Sequence, residues 1–432
     1  MPATVGPLRL VPIGRPNQVT PVNVGLFEDG GYRNLLPLTW LRACFELRCG
    51  IDRLIDKVRT HLGPAVARLW LRPELREVVS ERIDLDPPKP DDDWCLLNGR
   101  TLLTAPVAPP AVGTGWQING ALIAAGVRAA DIHALSDELF LSEESLGEFL
   151  RQGGYRLGPP PASVSLINYP WELVLANEAE LRRQCQYGGI QEGRVYPGVH
   201  LLNPTAIHVA RGAVVKPGVV LDAEEGPIQI DEGARIEPNA VIQGPAHIGS
   251  QALVRPGTVI RPGSSIGPAC RVGGEISLSV LHGYSNKQHN GFLGHSYVGE
   301  WVNLGADTVT SNLKNTYGTI RVYINGVGVE SGQHFVGSII ADHAKTGIGT
   351  LLPTGAVVGV ASNVLVASGV PKFVPSFAWL TEAGLSSYQV DKAIHIARTV
   401  MARREVHLSD AEERLLNWVA GAARQTEAAG WK

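Results

Sequence analysis

The chain has 432 residues with 49 glycines, 30 prolines and only 18% charged residues, against about 25% in an average globular domain. That length predicts more than one domain. A net charge of -3 without a basic block excludes the electrostatic footprint expected of a protein that binds nucleic acid or an anionic membrane.

In chain order, the first residues, MPATVGPLRLVPIGRPNQ, lack the basic-then-apolar pattern of a secretory signal. No apolar run approaches the roughly 18 residues that would span a bilayer. Cys44, Cys49, Cys95, Cys185 and Cys270 form no C-x-x-C pair, which predicts reduced, buried thiols. Together these features predict a soluble, cytoplasmic protein.

Residues 20–180 mix α and β patterns. VNVGLFEDGGYRNLLPLTW reads as a strand, a glycine-containing turn and helical text, WCLLNGRTLL as a later strand, and INYPWELVLANEAELRRQ closes the region.

Residues 190–372 are different material. Ile230, Ile236, Ile242, Ile248, Val254, Ile260, Ile266 and Val272 recur at every sixth position, and the residue four further on is small in most hexads (Ala234, Ala240, Ala246, Ala252, Thr258). Period six fits neither a helix nor an alternating strand; it marks a solenoid in which each hexad makes a short strand and a turn. Three hexads close one triangular coil, and coils stack about 4.8 Å apart. The pattern starts less cleanly over 195–221, resumes with a shifted phase at Val298 and Leu304, and continues through Val336, Ile348 and Val360. Two departures, GEISLSVLHGYSNKQHNGF and NLKNTYGTIRVYINGVGVESGQH, predict excursions on the outside, where solenoids build binding surfaces.

Residues 373–430 carry helical patterns over 385–404 and 409–426. Ser409 and Glu412 form a capping box. Leu415, Leu416, Val419 and Ala423 give the second helix an apolar face. The expected role is a cap over the open end of the solenoid.

LLPLT (35–39), YPWELVLAN (169–177) and the long GYSNKQHNGFLGHSYVGEWVNLGADT (283–308) resemble the divergent branch of the GlmU-like family, bifunctional enzymes that make UDP-N-acetylglucosamine. The resemblance implies an α/β, Rossmann-like nucleotidyltransferase domain, a left-handed parallel β-helix that transfers acetyl groups, and a homotrimer. It implies acetyl-CoA and an aminosugar 1-phosphate as substrates, with UTP or dTTP and Mg²⁺ if the first domain is active. In the first domain it places phosphate contacts on Gly30, Gly31 and Arg33 of DGGYR. The metal ligand falls on Asn98, where the family carries aspartate; neutral asparagine is a poorer ligand for a hard dication. A second metal-binding asparagine corresponds approximately to Asn177 or Ala176.

In the second domain, counting back without a gap from Asn303-Leu304-Gly305-Ala306-Asp307-Thr308 places the family's catalytic histidine on His289. Substrate contacts fall on Arg261, Lys287, Asn303 and Asn312, and coenzyme A contacts on Ala306, Ser338 and Lys314. Phe292 stands where a tyrosine is expected. A histidine near pKa 6.5 can take the amine proton at neutral pH. His295, six residues on, is read as bracing a turn. Two alternatives stay open: a nucleotidyltransferase whose solenoid serves assembly alone, and a non-catalytic trimeric scaffold that binds sugar nucleotides.

Overall fold

The computed structural model describes residues 23–62, 66–185 and 192–431, apart from the side chains of 143–145. Residues 20–22 of the expected first domain, and the N-terminal stretch read for a signal, lie outside them.

The first domain is built on a mixed six-stranded sheet. Its strands are β1 (Asn23–Phe27), β2 (Val66–Trp70), β3 (Trp94–Asn98), β4 (Thr114–Ile118), β5 (Ala121–Val127) and β6 (Arg156–Gly158), in the order β2-β1-β3-β5-β4-β6. The β2-β1-β3 run is parallel; β1 and β3 are buried throughout, as aliphatic strands covered on both faces require, while the edge strand β2 is half-buried over Ala67–Leu69. Helix α1 (Leu54–Leu62) follows β1 after a long irregular stretch, α2 (Arg76–Arg82) follows β2, and α3 (Pro170–Gln184) closes the domain. Proline at the first turn of α3 suits a position whose N–H has no helical partner.

The solenoid follows as a left-handed parallel β-helix with three faces. Face 1 begins at Arg194–Val195, face 2 at His200–Leu202 and face 3 at Ile207–Val209, each pairing in parallel with the equivalent strand of the next coil. All the aliphatic residues of the 230–272 hexads are fully buried in one continuous core, as are the small residues between them. The corners recur with the same period in left-handed backbone: Gly233, Asn239, Gln251, Gly257, Gly263 and Ala269 all have positive φ.

The late phase differs from expectation. Ile348 is 78% exposed, and Val336 and Val360 pack outside the axial core; the inward row is Ile340, Thr346, Leu352, Val358 and Val364. Period six survives in the phase of Val298 and Leu304, interrupted by the 312–336 excursion, which carries an antiparallel hairpin, Arg321–Ile324 with Val327–Glu330.

The tail also departs from its expected role. A hairpin, Ala378–Thr381 with Gly384–Ser387, ends face 1, so helix α4 starts only at Val390 and runs to Ala402. Helix α5 (Asp410–Thr426) carries the predicted capping box, Ser409 Oγ accepting from Glu412 N at 3.1 Å while Ser409 N donates to the Glu412 carboxylate at 3.0 Å. Both helices bury their apolar faces in the junction between the domains: Ala393, Ile394, Leu415, Leu416 and Val419 share a cluster with Val24, Leu36, Trp40 and Ile55 of the first domain and with Trp301, Ala341, Val360 and Phe377 of the solenoid. The end of α4 also reaches the solenoid, Arg404 donating to Ala269 O and Asn286 Oδ1, and at the final turn Gly430 lies against Phe373 and Trp431 packs on the axial core.

Buried charge ties the two domains together. Arg42 of the first domain meets Asp342 of the solenoid at 2.6 Å and Glu300 at 3.4 Å, and His282 Nδ1 lies 3.2 Å from Glu300. Asn177, fully buried, accepts from Gly50 N at 2.6 Å and donates to Gly263 O and Ser265 Oγ at 2.9 and 3.0 Å. All five cysteines are free and buried.

Candidate functional sites

The glycine turn of the first domain is occupied by the protein itself. Asp29 caps the Gly30–Leu35 turn through Gly31 N. Its carboxylate takes two hydrogen bonds from the Arg100 guanidinium, at 2.8 and 2.6 Å, and one from Asn98 Nδ2 at 2.8 Å. The guanidinium lies so close to Gly31 that a β-carbon there would sit 2.4 Å from it. Asn98 is 1% exposed, and its remaining bonds go to Leu122 O and Arg100 N.

Every polar atom of Asn98, and of Asn177, thus already has a protein partner, so this pair does not fit Mg²⁺, which needs open oxygen ligands. Among the described residues no cluster of His, Cys, Asp or Glu has metal-site geometry. Arg33 is exposed, its carbonyl accepting from Asn325 of the solenoid hairpin at 3.0 Å. A cavity of about 230 Å³ remains beside Asp29, walled by Leu122, Phe140, Leu146 and Leu157.

In the solenoid the two histidines occupy successive corners. His289 lies between Asn286–Lys287 of face 1 and Phe292–Gly294 of face 2. It is exposed and borders an open basin of about 390 Å³ with Arg255, Asn290, Ala306 and Asp307. His295 lies at the next corner, between faces 2 and 3, with φ 49.

His295 is half-buried. Its ring stacks on Phe335 with centroids 5.1 Å apart, and Nδ1 lies 2.9 Å from Nδ2 of Asn312. Burial lowers its pKa, which holds the ring neutral at pH 7. Among the described residues Nε2 has no partner, and it is not sealed from solvent. Glycine makes the close approach possible: a β-carbon on Gly294 would stand 2.8 Å from the Asn312 amide.

The expected contacts therefore divide between two corners. Asn312 comes to His295, and so does the segment before Ser338, since Gly337 N donates to His295 O at 2.9 Å. Ser338 Oγ itself is sealed inside without a partner. Ala306 comes to His289, and Asn303 sits on face 1 beside Asn286. Lys287 occupies an inward position, paired with Val272, and its ammonium donates to the carbonyls of Gly273, His289 and Asn290. Burial lowers its pKa to about 8, with Asp307 acting the other way. It is a buried brace rather than an exposed phosphate contact. Arg261 is exposed and paired with Glu275 at 2.6 Å, and Lys314 is half-buried and donates to Thr319 O.

Sequence reading missed the Asp29–Arg100 lock, which joins residues 71 apart, and the Phe335 stack. The signal for His295 was available, because one hexad is one side of the triangle and a one-hexad gap before Asn303 moves the count from His289 to His295.

The fold and these corners define a two-part class of protein, a nucleotidyltransferase-type domain joined to a hexapeptide-repeat solenoid. Residues 24–194 match the family model described as sugar nucleotidyl transferase. Over part of its length the chain is similar to proteins named as bifunctional GlmU. It is 27% identical over 217 residues to "Bifunctional protein GlmU" of Bifidobacterium longum subsp. infantis, covering 45% of each chain. The protein of the same name from Jannaschia sp. is 30% identical over 199 residues, 44% of this chain and 41% of that one. The chain thus spans less than half the length of the curated relatives it matches. Among solved structures, the UDP-N-acetylglucosamine acyltransferase of Francisella novicida aligns with 52% of this chain and 90% of its own, at 12% identity and a TM-score of 0.23. Among the described residues no helix is long and apolar enough to cross a membrane.

Proposed function

We propose that the chain is a transferase that moves an acetyl group from acetyl-CoA to the amine of an aminosugar 1-phosphate, with His295 as general base in place of the His289 selected by the ungapped count. One observation carries this reading: His295 is neutral, half-buried and held at Nδ1, while Nε2 stays open. In the base-competent tautomer the proton sits on Nδ1, and the Asn312 amide, turned by half a rotation, accepts it through Oδ1. The Nε2 lone pair then takes the amine proton as nitrogen bonds to the thioester carbon. The adduct collapses with release of the thiolate, which takes up the proton. A positioned base contributes about 10²–10⁴ in rate.

In this reading the first domain binds or scaffolds without transferring nucleotides, because Arg100 fills the phosphate turn and Asn98 is spent. The exposed Ile348, Leu351 and Leu365 of the late coils support a homotrimer, and the protein works in the cytoplasm. The test is coenzyme A release from acetyl-CoA and glucosamine 1-phosphate, alongside pyrophosphate release with UTP or dTTP and sugar 1-phosphates. Absent coenzyme A release with robust pyrophosphate release would reverse the assignment of the active domain.

A further inference from the structure

A second, smaller cavity lies where the end of α4 meets face 1. It measures about 120 Å³ and is lined by Arg271, Arg403 and Arg404 together with Asn286, Gln288 and Asn303. Drug-sized ligands fill roughly 300–1,000 Å³, so this space takes a head group and not a whole nucleotide.

Its charge is one-sided. Among the described residues none of the three arginines makes an ion pair, and no carboxylate lines the cavity. Arginines near by on the same helices are neutralised: Arg398 by Glu413, and Arg414 by Glu77. Arg404 is fixed in place, Nη1 donating to Ala269 O at 3.0 Å and Nη2 to Asn286 Oδ1 at 2.8 Å. Burial, and then Arg271, lower its pKa.

Basic residues at a helix end complement its dipole, which accounts for Arg403 and Arg404 alone. It does not account for Arg271, which comes from the solenoid and stands in one cross-coil row with Asn286 and Asn303. Like charges gathered from two elements, flanked by amides, form a site for an anion. Guanidinium forks match phosphate oxygens in geometry.

We propose that this cavity binds a phosphate group through Arg271, Arg403 and Arg404, with the amides of Asn286, Gln288 and Asn303 completing the shell. Gln288 also lines the larger basin beside His289, so a phosphorylated organic ligand can place its phosphate here and its remainder there. The site meets the proposed transfer reaction only at Asn303 and stands whether or not that reaction occurs.

Isothermal titration of the full chain with inorganic phosphate tests it. Saturable binding that weakens with added salt is expected. Arg271→Gln and Arg403→Gln, neither of which removes a hydrogen bond of the fold, should each lower affinity about tenfold or more, with unchanged thermal melts. Displacement by glucosamine 1-phosphate would assign the phosphate to the acceptor, and displacement by coenzyme A would assign it to the donor. Displacement by neither leaves free phosphate or another phosphate ester as the ligand, and the site stands in each case. Absence of saturable phosphate binding, or wild-type affinity in both variants, overturns the proposal, and neither result bears on His295.

Discussion

The turn at Asp29 and the corner at His295 are both polar clusters where a ligand is expected, yet they are finished differently. At Asp29 each donor and acceptor has a protein partner: carboxylate, guanidinium and amide saturate one another in a space almost closed to water. At His295 one ring nitrogen is held and the other is left open. A saturated buried cluster contributes to folding and has nothing left for a ligand. A half-saturated one that water can still reach costs little to keep and leaves one nitrogen available to a ligand.

The most direct way to break this contrast is to open the closed site. Arg100→Met leaves Asp29 buried and uncompensated, with an expected loss of about 3–5 kcal/mol in urea denaturation. Asp29→Asn combined with Arg100→Met should recover most of that loss. A single variant as stable as wild type would show that the cluster is not a structural lock.

At the open site the effect should be kinetic. His295→Ala is expected to lower acetyl transfer about 10²-fold or more, roughly 2.7 kcal/mol of barrier, with the fold intact. His289→Ala should stay within a few-fold of wild type. The reverse pattern in coenzyme A release would move the reaction one face around the coil.

Acid sharpens the comparison at the domain junction. Burial, reinforced by Lys345, pushes the His343 pKa from 6.5 to about 3. The native state therefore prefers the neutral ring and binds fewer protons than the unfolded chain. Stability from this group is complete above about pH 6.5 and falls as pH drops toward 3, by up to about 1.4 kcal/mol per pH unit. Buried His282, also lowered, adds to the same slope. Burial would raise the Glu300 carboxyl, but Arg42 and His282 hold it well below the ordinary carboxylate range, so its loss comes at lower pH. His343→Phe should flatten the slope between pH 6.5 and 4.5 in melts across that range; an unchanged slope would refute the assignment.

The smallest effect concerns orientation. Asn312→Ala should lower kcat about fivefold, in keeping with the loss of one hydrogen bond of about 1 kcal/mol. It should also alter the pH-rate profile, whereas Phe335→Leu should leave the profile in place. Equal profiles for Asn312→Ala and wild type would remove Asn312 from the site.

The hexad repeat determined the solenoid without help from tertiary contacts, because each hexad buries its aliphatic residue against equivalent neighbours and the period is printed in the chain. Ser409 and Glu412 likewise determined a helix start locally. Sequence also brought both histidines into one motif. What it could not decide was which corner gathers Asn312: the 312–336 excursion returns to the coil by a path that no period records, and it sets Phe335 and Asn312 on His295. It could not show that Arg100 reaches Asp29, or that α4 and α5 turn back to the first domain. Those outcomes rest on pairings between distant residues, where burial and charge neutralisation across the whole fold decide which polar groups are spent and which stay open.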